Sequence, residues 1–242
     1  PPQHVACMVV ATFDSVEAAA NAVVTITGKI RPSMLEFMDA ASINAVEDKL
    51  RMGLDRSAAA MMVAATDDRG PSGVEDAEFM ATVFTEHGAK EVFSTSDPQE
   101  GEAFVAARRF AIPAVEAKGS LLLEDVGVPL PALADLVSGV AKIAANNDVM
   151  ISVIAHAGDG NTHPLIVYDP TDAAMAERAQ KAFGEIMDLA VGLGGTITGE
   201  HGVGRLKRPW LAGQLGSEAM ELNQRIKRAL DPDGILNPGA AI

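Results

Sequence analysis

The apolar positions of this chain switch repeatedly between the period of a strand and the period of a helix. Val5–Phe13 is almost continuously apolar and partly β-branched, the pattern of a strand buried on both faces. Asp14 follows, with Glu17 three residues later, a capping-box spacing that predicts a helix to about Lys29. Runs at Met34–Met38, Ala59–Thr66 and Glu91–Ser94 predict strands, the Met-rich one as core. Helical periodicity predicts helices at Ala40–Arg51 and Val74–His87. With the helix at 40–51 treated as an insertion, the order is β-α-β-β-α-β, the ferredoxin-like split unit.

After a linking helix at Pro98–Val115 the same order returns. Strand Ser120–Val126 precedes helix Pro131–Asn146, in which Leu133, Leu136, Val137, Val140 and Ala144 form one stripe. Strands Met150–His156 and His163–Tyr168, helix Asp172–Val191 and the extended stretch Thr196–Thr198 complete it. A glycine-rich loop at Gly199–Gly204, a helix at Ser217–Leu230 and the punctuated tail DPDGILNPG close the chain. The expected fold class is α+β: duplicated ferredoxin-like units with an antiparallel sheet and helices on one face, plus a C-terminal helical tail. The expected division is 1–97, 98–198 and 199–242.

Composition narrows the function. With 33 acidic against 19 basic residues and a net charge of -14, the chain lacks the cationic surplus that nucleic-acid binding draws on. One Trp, one Tyr and eight Phe leave a mainly aliphatic core, with eleven Met to fill irregular gaps. The single Cys7 forms no internal disulfide, which suits a reducing, cytoplasmic setting. No apolar run approaches the ~18 residues of a membrane span, and PPQHVACMVV has neither a basic n-region nor a processing pattern. A start on Pro-Pro, without Met, leads us to expect a piece of a longer protein.

The chemistry is concentrated in HAGDGNTH. Asp-Gly between apolar runs is a two-residue hairpin signal, so Asp159–Gly160 is predicted at the turn centre, with Asp159 serving the turn. Counting outward then sets His156 opposite His163, with Cβ atoms roughly 5 Å apart on one face. Two such imidazoles can share one metal at ~2.0–2.1 Å per bond. The alternative is that both histidines merely frame a turn. A third ligand is offered by GGTITGEHGVG, where Glu200 and His201 stand among glycines that let backbone approach a ligand closely. The loop lacks the G-x-G-x-x-G order of a dinucleotide site. A His₂Glu site with open positions is the resulting expectation.

HAGDGNTHP, GGTITGEHGVGRLK and DPDGILNPG resemble the C-terminal domain of FAD-linked oxidases, a family that includes glycolate oxidase, D-lactate dehydrogenase and D-2-hydroxyglutarate dehydrogenase. FDSVEAAANAV…LEFMD and AARRFAIPAV…LLLEDVGVP look like it too. The resemblance implies a substrate-and-cap domain over an FAD held by a separate N-terminal domain of the same protein. It implies His156, His163 and Glu200 as ligands of a divalent metal (Zn, Mn or Fe), and His201 as catalytic base. Arg108 is implied as anchor of the substrate carboxylate and Asn237 as a flavin-side contact. Members acting on D-2-hydroxyglutarate carry a lysine where this chain has Leu123, so a small monocarboxylic 2-hydroxy acid such as D-lactate or glycolate is expected. The resemblance leaves room for an electron acceptor (quinone, cytochrome or flavoprotein), for peripheral membrane association through it, and for a homodimer.

Arg205 and Lys207 are expected as surface charges, with help in holding an anionic substrate as the alternative. Two rival readings stand beside this one: a His₂Glu zinc hydrolase, and a non-catalytic ferredoxin-like module.

Overall fold

Four strands of the first pass pair in the order that their lengths and connections favour. The computed structural model describes residues 7–68 and 70–241, so the Val5–Ala6 end of the first expected strand lies outside the described residues. Strand β1 (Cys7–Phe13) is flanked by β3 (Ala60–Thr66) and β4 (Glu91–Thr95), and β2 (Met34–Asp39) lies beyond β3. Helices α1 (Val16–Thr27) and α3 (Pro71–Glu86) make the crossovers, giving the 4-1-3-2 order of a ferredoxin-like unit. Ser15, not Asp14, is the N-cap of α1: its side chain accepts from the Ala18 N–H, while Asp14 is exposed one position too early.

The second pass runs the same way but meets the first edge to edge. β7 (Met150–His156) pairs with β2, β8 (Asn161–Tyr168) lies next, and β5 (Ser120–Leu123) and β6 (Val126–Gly127) pair with β8 in turn. One antiparallel sheet results, ordered β4-β1-β3-β2-β7-β8-β5. The expected last strand shrinks to a single bridge between Thr196 and Gly127.

Helices of the two units, α1, α3, α6 (Leu133–Asn147) and α7 (Ala173–Gly192), cover one face, as the pattern predicts. The other face is covered by the inserted helix α2 (Ala40–Leu50) and by the link, so helices occupy both faces. That explains why β3 is buried at every position instead of alternating. The link itself is two helices, α4 (Pro98–Arg109) and α5 (Ala111–Glu116). Pro113 has no N–H for the carbonyl four residues back and its ring crowds it, so one helix does not run through.

The last helix, α8, spans Arg208–Leu230, starting a full nine residues before the expected Ser217 and kinking at Gly216, where φ is 75°. Among the described residues, no helix is long and apolar enough to cross a membrane.

Candidate functional site

The turn that carries the histidines is not the one expected. β7 ends at His156 and β8 begins at Asn161, leaving a four-residue loop, and His156 pairs with Asn161 while His163 pairs with Ile154. Two consecutive turns replace the two-residue one: Asp159 N–H bonds the His156 carbonyl at 3.0 Å and Gly160 N–H the Ala157 carbonyl at 3.4 Å. Only Gly160 takes positive φ, and its carbonyl accepts from Val128 N–H at 3.0 Å. A Cβ there would fall 2.1 Å from the Val128 carbonyl oxygen. His156 and His163 are therefore diagonal neighbours, two positions out of the expected register. Because the shift is even, both remain on one face. Their ring centroids are 5.3 Å apart.

The junction between the two units supplies the next residue. Glu36 of β2 is directly opposite His156 of β7, so its side chain shares that face. Its Oε1 lies 2.7 Å from His156 Nδ1, and its Oε2 lies 2.8 Å from Arg108 Nε of α4, without the alignment of a full hydrogen bond. The bond to Glu36 raises the His156 pKa above its usual value. It also leaves Nε2 as the atom turned to the rest of the site.

His163 is oriented by a proline. In the β5–β8 register, continued from Leu123↔Leu165 toward Val126↔Thr162, Glu124 stands opposite Pro164. Glu124 N–H bonds the Pro164 carbonyl at 2.9 Å, but Pro164 has no N–H to return. The freed Glu124 carbonyl accepts instead from His163 Nδ1 at 3.3 Å, again leaving Nε2. Burial lowers the His163 pKa, which favours the neutral, ligating imidazole.

The same break in the ladder places Asp125 under the glycine-rich loop. Its fully buried carboxylate accepts from Thr198 Oγ1 at 2.8 Å and from the N–H groups of Gly199 at 3.0 Å, Glu200 at 3.1 Å and His201 at 2.9 Å. Burial alone would raise its pKa; these donors outweigh burial and hold it well below the carboxylate range. Lys207 Nζ donates to the Asp125 backbone carbonyl and lies 3.5 Å from its carboxylate. Lys207 is only 5% exposed, so the expected surface charge is a buried one. Gly199 is needed for a close approach: a Cβ would fall 2.2 Å from Asn161 Oδ1. Neighbouring Glu124 is buried with neither carboxyl oxygen hydrogen-bonded among the described residues, and burial pushes its pKa up to about 9.

With the loop so held, Glu200 Oε1 lies 3.5 Å from His156 Nε2 and 3.3 Å from His163 Nε2. Two ligand atoms ~2.1 Å from one tetrahedral ion stand about 3.4 Å apart, so the separations fit a shared metal. Each imidazole already has its second nitrogen bonded, the usual setting of a ligating histidine. Asp125, His163 and His201 also approach one another, but the Asp125 oxygens are taken by N–H donors. His201 stacks on His163 at 4.9 Å, with Nε2 at 3.6 Å from Glu200 Oε1. Side chains of Glu200 and His201 are 52% and 44% exposed, so the site is open on that side.

Five of the six residues singled out in the sequence thus come together: His156, His163, Glu200, His201 and, through Glu36, Arg108. Asn237 does not join them by contact. It lies exposed in a turn of the tail with φ 44°, tied to the loop after His201 through the bonds Arg205–Pro238 and Ala241–Gly204. Asp159 is exposed in its turn, where the sequence placed it. Missed were Glu36 and Asp125. Each interrupts an apolar strand with a carboxylate, and that interruption was the available signal.

The profile of the family "FAD linked oxidases, C-terminal domain" matches residues 2–241, and the chain belongs to that family. The glycolate oxidase subunit GlcD of Bacillus subtilis (strain 168) is 38% identical over 231 residues, which is 95% of this chain and 49% of the relative. The mitochondrial cytochrome-type D-lactate dehydrogenase of Arabidopsis thaliana is 31% identical over 245 residues, covering 100% of this chain and 43% of the relative. This chain therefore spans about half the length of these relatives. Among solved structures, p-cresol methylhydroxylase with substrate bound aligns with 100% of this chain and 53% of its own, at TM-score 0.72 and 14% identity. A 4-ethylphenol oxidase from Gulosibacter chungangensis does so at TM-score 0.73 and 16% identity, covering 100% of this chain and 54% of its own. Those two likenesses establish the fold.

Proposed function

We propose that this chain is the substrate- and metal-binding half of a flavin-dependent dehydrogenase or oxidase of small 2-hydroxy acids, of the glycolate or D-lactate type. The observation that carries the reading is that Glu200 Oε1 stands 3.5 Å from His156 Nε2 and 3.3 Å from His163 Nε2, with one ligand atom of each residue within 4.8 Å of the others, in a member of this family. FAD, held by another domain of the same protein, would supply the hydride acceptor, and a divalent Zn, Mn or Fe ion the Lewis acidity toward the substrate oxygens. From the reduced flavin electrons would pass to a quinone, cytochrome or flavoprotein acceptor.

The chain's own residues bind, orient and move a proton. Arg108 meets Glu36 through Nε, which leaves its terminal nitrogens to grip the substrate carboxylate in two-pronged fashion. That grip fixes which hydrogen faces the flavin. His201, half-exposed on the open side of the site, takes the hydroxyl proton. Leu123, packed against the core beside Leu165, offers a second substrate carboxylate no charge where the resemblance sets a lysine, which supports a monocarboxylate substrate. The open side faces the flavin domain. So does the exposed apolar stripe of Leu222, Ile226 and Leu230 on α8, with Ile235 and Leu236 in the tail, and Asn237 follows as the flavin-side contact.

The test uses the full-length flavoprotein. His201→Gln is expected to lower turnover of D-lactate or glycolate by about 10²-fold or more with metal content unchanged. His156→Ala is expected to lose metal and activity together. Loss of metal at unchanged activity would overturn the assignment.

A further inference from the structure

Glu36 is a carboxylate flanked by apolar residues in strand β2, on the face it shares with Met34 and Met38. Its side chain is 12% exposed, so its charge needs partners. It has two, from two other elements: His156 Nδ1 of β7 at 2.7 Å on Oε1, and Arg108 Nε of α4 at 2.8 Å on Oε2. One carboxylate thus joins a candidate metal ligand to the candidate substrate anchor, and is itself neither.

We infer that Glu36 is a positioning residue that couples the two halves of the site, setting His156 for metal and Arg108 for the substrate carboxylate at once. The inference rests on the metal reading proposed above. Accepting from His156 Nδ1–H fixes the ring and the tautomer whose Nε2 lone pair faces Glu200. Holding Arg108 by Nε aims the rest of the guanidinium. A displacement of Arg108 must therefore move Glu36, and with it His156.

A merely structural ion pair would show only in stability, so the readout is metal affinity of this chain, measured by titrating the stripped protein with Zn²⁺. Glu36→Gln is expected to weaken binding by about 10–100-fold. Arg108→Met, at a residue that is no ligand, is expected to change the dissociation constant in the wild-type background and to leave it unmoved in the Glu36→Gln background. Wild-type affinity in folded Glu36→Gln overturns the coupling and leaves the metal site standing. Should Glu36→Gln fail to fold, an unchanged constant in Arg108→Met overturns it instead. A folded wild-type chain that binds no Zn²⁺ overturns both the coupling and the metal reading.

Discussion

Carboxylates do the positioning in this protein, and they stand where the hydrophobic pattern asks for aliphatic side chains. Asp125 satisfies three N–H donors of the glycine-rich loop and the Thr198 hydroxyl before it, so Asp125→Ala would orphan them and leave Lys207 beside an empty place. A loss of roughly 3–5 kcal/mol in urea unfolding is expected, as for one partner removed from a buried pair. Asp39, partly buried at the start of α2, gives a pH test away from the site. Burial raises its pKa from 3.8 to about 6, in spite of the Ser42 N–H and side-chain bonds that oppose it. A raised acid favours the protonated folded state, so this contribution is complete below pH 3.8 and is lost as pH rises through about 6. Asp39→Asn, which keeps the cap, should flatten the fall in stability across that window by roughly 2–3 kcal/mol; identical pH profiles would contradict it. The two histidines and Glu200 were legible because motif and glycine loop announce them locally. Glu36 and Asp125 were not, because their partners lie 120 and 73–76 residues away in sequence.

At the scale of elements, the sequence marked strand and helix interiors well and their ends poorly. Register at the hairpin shows why. Asp-Gly predicts a two-residue turn from local propensity, but the Val128 N–H claims the Gly160 carbonyl and a tertiary contact sets the loop at four residues. Gly160→Ala combines positive φ with a Cβ 2.1 Å from the Val128 oxygen. A cost of at least about 2 kcal/mol is expected, together with weakened metal binding as the histidine-bearing strands splay. Ser15→Ala should cost about 1 kcal/mol, whereas Asp14→Ala should leave the unfolding midpoint within error. The reverse ranking would restore the cap expected from sequence.

For the whole molecule, the decisive event is the fusion of two units at β2 and β7. That junction makes one sheet and sets Glu36 against His156. Neither half of the chain alone holds the site: Glu36 and Arg108 come from β2 and the link, the histidines from the β7–β8 hairpin, and Glu200 from beyond the last bridge. Helical periodicity announced the helices of each unit, yet it left the insertion and link unplaced, since nothing local says which face of a sheet still lacks cover. Metal uptake by the isolated chain tests the central claim most directly, with bound Zn²⁺ or Mn²⁺ counted per chain after equilibrium dialysis. About one ion per wild-type chain is expected, with uptake lost in His163→Ala and Glu200→Ala at unchanged circular dichroism. A folded wild-type chain that takes up no ion, or variants that take up as much, would contradict the account.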